Sequence, residues 1–91
     1  MLTKQDAERI ADKLEVTIER AKRNRPHDLM IVVHEGKIIA SFGIRRGSRK
    51  DAGHDHIPNS LHASPHFCKE LAECPKSKDD WLRMMKEKDL L

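Results

Sequence analysis

The sequence predicts a single α+β domain, an antiparallel hairpin packed against helices. Three observations carry that expectation. The chain has 91 residues, which suits one domain. Its first two dozen residues place apolar side chains at helical spacing, and its middle switches to a spacing of two. Two later segments each open on a serine followed by helix-favouring residues.

In chain order, Thr3 is a good N-cap with Asp6 three residues on, close to a capping box. Ala7, Ile10, Ala11, Leu14, Ile18 and Ala21 then mark one helical face. Pro26 disfavours helix in the residue before it, so the helix is expected to end near Arg23-Asn24. Leu29-Met30-Ile31-Val32-Val33 is too short for a core helix and reads as a buried strand. His34-Glu35-Gly36-Lys37 makes a tight turn. In the next strand Ile38, Ala40, Phe42 and Ile44 share one face, and Ile39, Ser41, Gly43 and Arg45 the other. Arg46 to Asn59 reads as a long loop, with a short third strand expected near His54–Ile57. Ser64-Pro65 starts a helix with Phe67, Cys68, Leu71 and Ala72 on its apolar stripe, and Pro75 ends it. Ser77 caps the last helix, Asp79 and Asp80 lie in its first turn, Trp81, Leu82 and Met85 point inward, and Leu90-Leu91 close the edge.

Leu, Ile, Val and Phe number 20 of 91, which is enough for a thin core. A domain this small gains from pairing with a second copy, so a homodimer is expected, through the exposed apolar face of a thin sheet. No apolar run is long enough to span a bilayer, and the acid-rich start lacks an apolar signal core. With two cysteines these features place the expected protein in the cytoplasm, away from membranes, with reduced thiols. They exclude a disulfide scaffold, a Rossmann enzyme and a multidomain machine.

The net charge is +3, and it is not spread evenly. Residues 37–56 carry five basic and two acidic residues, while residues 57–91 carry six of each. Arg45-Arg46-Gly47-Ser48-Arg49-Lys50 concentrates four of the cations, which suggests an anionic partner. Arg45, Arg46, Ser48, Arg49 and Lys50 are the candidate phosphate-binding residues. Without an aromatic stacking surface, such binding is salt-dependent and largely blind to sequence.

Four of the six histidines, His54, His56, His62 and His66, fall in 13 residues beside this loop. Three chemistries use them. His54 and His56 are candidate catalytic residues for metal-independent cleavage of a phosphodiester, because imidazole exchanges protons near neutral pH while arginine holds phosphate. His54, His56, His62 and His66 are an alternative metal set, although the spacing of Cys68 and Cys74 is not that of a zinc finger. Alternatively, His54 and His56 fix the long loop by hydrogen bonds to backbone while Asp55 caps a turn. Cys68 reads as a small core residue, and His27 and His34 as solvated residues at turns.

Ala40-Ser41-Phe42-Gly43-Ile44-Arg45-Arg46-Gly47-Ser48, followed by Gly53-His54-Asp55-His56-Ile57-Pro58, resembles a group of small bacterial proteins. Ala72-Glu73-Cys74-Pro75 and Trp81 agree with that likeness, which covers residues 38–91 and brings no function with it. The helix–hairpin–helix order and a Gly-Ser beside histidine are also similar to HicA-type toxin domains. That likeness implies a double-stranded-RNA-binding-like fold, mRNA cleavage by one histidine and an antitoxin-like protein partner. In that family Gly-Ser is followed at once by histidine; here Gly47-Ser48 is followed by Arg49, so no catalytic residue transfers. The expected function is thus an RNA-preferring nucleic-acid-binding module, with histidine acid–base cleavage as its accompanying chemistry and no cofactor. The alternative is a metal-binding or structural interaction module.

Overall fold

A computed structural model describes residues 2–20, 27–45, 53–73 and 76–91. The first helix, α1 (Lys4–Leu14), starts as its sequence predicts. The Thr3 hydroxyl accepts from the Asp6 amide at 3.2 Å, and the Asp6 carboxylate accepts from the Thr3 amide at 3.1 Å. Its inward face is Ala7, Ile10, Ala11 and Leu14.

The helix ends much earlier than expected, because Glu15 adopts a left-handed conformation at φ 53°. That C-cap geometry turns the chain back. Val16, Thr17 and Ile18, all β-branched, then favour strand, and Thr17–Glu19 forms β1. Helical spacing carried Ile18 into the predicted stripe; the strand instead sets it opposite Met30. Ala21 and Arg23-Asn24 lie outside the described residues.

The hairpin is β2 (His27–His34) and β3 (Lys37–Arg45). Glu35 and Gly36 take φ of 51° and 78°, as a two-residue turn with two left-handed positions requires. The sheet is antiparallel in the order β1-β2-β3, so the third strand precedes the hairpin. A register shift between Val32 and Val33 leaves Val32 opposite Ala40 and Val33 opposite Ile38. Met30, Val32, Ala40, Phe42 and Ile44 are buried on the face toward the helices.

No strand forms near His54–Ile57. Gly53 makes an isolated bridge to Thr3, and the chain then enters α2 (Ile57–Ser60), a single turn. Pro58 in that first turn is tolerated there and would cost a strand its ladder bond. The last helices are α3 (Pro65–Glu73) and α4 (Lys78–Glu87). Ser64 accepts from the Phe67 amide at 3.0 Å, and Ser77 with Asp80 forms a full capping box. Cys68, Leu71, Ala72, Trp81 and Met85 join the core with Ile57 and Leu61, while Leu90 and Leu91 stay nearly half exposed. The Trp81 indole donates to the Leu61 carbonyl at 3.0 Å, so the largest buried side chain is also satisfied. Among the described residues no helix is long and apolar enough to cross a membrane.

Candidate functional site

The site builds on the far end of the hairpin, where His27 faces Arg45 across the strands. β3 is an edge strand. In an antiparallel pair, alternate residues turn their backbone groups away from the partner. Two such groups are taken by the His54-Asp55-His56 triplet. His54 Nε2 accepts from the Arg45 amide at 3.1 Å, and His56 Nε2 donates to the Gly43 carbonyl at 2.8 Å. The imidazoles stand where a fourth strand would, and so protect the edge.

These bonds fix opposite tautomers. An imidazole nitrogen that accepts from an amide carries no proton, so neutral His54 is protonated at Nδ1. Gly43 offers only an acceptor, so His56 carries its proton at Nε2. The triplet is tied at its other side too. The His54 amide donates to the Leu2 carbonyl at 2.7 Å, and the Leu2 amide donates to Asp55 Oδ1 at 3.0 Å. The segment is therefore held by backbone hydrogen bonds, one of the alternatives open in the sequence.

His54 is 1% exposed. The sequence sets it beside His56 as an accessible pair, but the backbone here is a turn leading into α2, not an extended segment. The two rings remain close, with centroids 5.6 Å apart. A third imidazole joins them. His27 stands edge-on to His56 at 6.3 Å, with its Cβ 3.2 Å from where a Cβ on Gly43 would lie. The absence of a side chain at Gly43 is what lets His27 lie across β3. Sequence reasoning places His27 at a turn; the signal for its role is its cross-strand position opposite Arg45, legible only once the register is known.

The corner disfavours added positive charge. His27 has its pKa lowered from 6.5, first by burial and then by the charges of His56, Arg45 and His54. Arg45 and His56 are both exposed. The nearby acidic groups already have roles: Asp28 pairs with Arg20 at 3.3 Å and Asp55 holds the Leu2 amide. Arg46, Ser48, Arg49 and Lys50 lie outside the described residues. The chain leaves at Arg45 and returns at Gly53, so seven residues join two points of this one corner.

The other histidines are elsewhere. His62 follows the C-cap of α2 at φ 56°, where its carbonyl accepts from Lys88. His66 is exposed on α3, with Nε2 3.3 Å from Glu70. His34 ends β2. Among the described residues no group of three or more His, Cys, Asp or Glu is arranged to hold a metal ion. The four-histidine metal set is thus not assembled, since α2 and α3 carry His62 and His66 away from the sheet corner. Cys68 is fully buried, and burial pushes its thiol up to about 11, which makes it a core residue and a poor nucleophile.

A cleft of about 390 Å³ also reaches Arg45, between α1 and the sheet. Its charged lining balances Lys4, Arg20 and Arg45 against Glu8, Asp12 and Asp28, so it does not select an anion.

Compared with known proteins, the chain gives no significant match to any family model, curated protein or solved structure.

Proposed function

We propose that the corner made by His27, Arg45 and His56 is the base of an anion-binding surface that holds the phosphate backbone of a nucleic acid, RNA by preference. The observation that carries this reading is the 3.1 Å bond from the Arg45 amide to His54. It holds Arg45 against the triplet, so its charge shares one corner with the exposed imidazoles of His27 and His56, and Arg46, Arg49 and Lys50 follow it in the sequence. Cationic side chains bind phosphates without reading bases. The preference for RNA rests on the likeness to HicA-type domains.

Binding is favoured over cleavage. Cleavage asks His54 and His56 for an accessible base and acid. His54 is buried with Nε2 engaged, and His56 Nε2 is engaged as well. That leaves the exposed His27 for contacting phosphate, since His56 Nδ1 is an acceptor in this tautomer, as phosphate oxygens are.

An NMR titration at low salt with short single-stranded and duplex RNA, and the matching DNA, tests the proposal. The expected result is a set of shifted amides at residues 27, 43–45 and 53–56, larger for RNA, with the RNA recovered intact. No shift with any of these nucleic acids would overturn the binding reading. Cleavage of the RNA that is lost in a His56→Ala variant would return the corner to catalysis.

A further inference from the structure

The bond that holds the end of β3 depends on the state of one ring. His54 Nε2 accepts from the Arg45 amide only while it carries no proton. The imidazolium cation has an N–H at both ring nitrogens, so turning the ring over does not restore an acceptor. With a proton on Nε2, one N–H would face another across 3.1 Å. The ring is almost wholly buried, so a charge on it also loses its hydration where it sits.

The neighbouring bonds do not share this dependence. His56 Nε2 donates to the Gly43 carbonyl whether that ring is neutral or charged. The ties to Leu2 are made by the His54 amide and the Asp55 carboxylate, not by the His54 ring. Arg45 and His27 form the last pair of the β2–β3 register, so its release leaves the rest of the ladder in place.

We propose that His54 is a proton-operated latch: its neutral ring holds Arg45 at the corner, and proton uptake swings the ring out and frees the end of β3. The charged surroundings act in the same direction. β2 brings His27 and Asp28, and Asp28 pairs with Arg20. β3 brings Arg45, and the segment itself brings Asp55 and His56. Lys4 and Glu8 of α1 line the cleft that reaches Arg45, and His66 and Lys69 of α3 share a cavity with Asp55. Cations and imidazoles outnumber carboxylates among these groups. The open state takes a proton that the latched state refuses, so falling pH favours opening, by up to about tenfold per pH unit for one proton. The inference concerns where Arg45 is held and does not rest on the anion-binding reading.

Amide hydrogen exchange of the full chain, followed by NMR from about pH 7.5 to about pH 4.5, tests it. Each rate is divided by the unfolded-chain rate at the same pH. The expected result is an Arg45 amide that loses at least about tenfold of its protection toward the acid end. Met30 and Phe42, paired inside the ladder, keep theirs. His54→Gln, whose carboxamide oxygen accepts at any pH, is expected to keep the Arg45 amide protected throughout. His56→Gln is expected to leave the loss in place, and ring-nitrogen shifts of the wild type to show His54 gaining its proton as Arg45 is released. Constant protection of Arg45 would overturn the proposal. So would a loss shared by His54→Gln, or one in which Met30 and Phe42 open together with Arg45.

Discussion

His54 Nε2 lies 3.1 Å from the backbone amide of Arg45, and the ring that carries it is almost wholly buried. The bond joins the end of the hairpin to the point where the chain returns to the body of the protein. It also converts an imidazole that looks catalytic in the sequence into a structural acceptor. A histidine serves here because it brings a hydrogen-bond acceptor on an otherwise packable ring.

Removing that acceptor has a definite cost. His54→Ala leaves the Arg45 amide unsatisfied and opens a cavity, together about 2–4 kcal/mol. His54→Gln puts an amide oxygen near the position of Nε2 and recovers part of the loss. Urea unfolding of the three proteins measures this. Equal stability of His54→Ala and wild type would show that the bond contributes nothing.

The lowered pKa of His27 links stability to pH. In the unfolded chain His27 takes up a proton near its ordinary value of 6.5, and in the folded protein only at lower pH. The unfolded state therefore binds more protons between those two values, so stability rises with pH there. The contribution is complete above about 6.5 and is lost as pH falls through the folded value. Melting temperature followed downward from neutral pH is expected to drop less for His27→Gln than for wild type. A bound anion opposes the same repulsion, so binding strengthens as pH falls across this window.

Asp6 holds α1 to α3. Burial by itself would raise its pKa, but the hydrogen bond from Lys69, the Thr3 amide, the Lys69 charge and the Thr3 hydroxyl outweigh it and hold the carboxyl below 3.8. The Lys69 ammonium is 2.9 Å away. Because Lys69 is 42% exposed, solvent screens the ion pair and it is worth little by itself. The carboxylate's bond to the Thr3 amide adds to it. Asp6→Ala is expected to cost about 1–3 kcal/mol and Lys69→Met clearly less, by chemical denaturation. The Asp6 contribution is present above the unfolded carboxyl value and disappears as pH falls through the folded one.

Much of the fold could be read from local chemistry. Thr3 with Asp6, Ser64 before Pro65, and Ser77 with Asp80 each act within one turn, and all three predicted helix starts appear. The Glu35-Gly36 turn is equally local, and so is the alternation of β3 from Ala40 to Arg45; the register shift breaks it before Ala40, so Ile38, expected on the core face, is exposed and Ile39 packs against the core instead. The failures came where two local signals competed. Ile18 fits both a helical stripe and a β-branched strand, and pairing with Met30 across the sheet decides for strand. His54-Asp55-His56 can be read as an extended pair, yet Leu2, Arg45 and Gly43 compete for its polar atoms from distant parts of the chain. His27 reads as a solvated turn residue because its neighbours, Arg45, Gly43 and His56, are at least sixteen residues away in sequence and meet it only through the β2–β3 register and the edge bond.

The salt dependence of RNA binding tests the central claim most directly. For a short labelled single strand followed by fluorescence anisotropy, the four cations in the sequence of residues 45–50, each meeting one phosphate, predict a slope of log affinity against log salt of about −3. Arg45→Ala is predicted to make that slope shallower by about 0.7, one phosphate contact. Absence of binding at low salt, or a slope that Arg45→Ala leaves unchanged, would contradict the account.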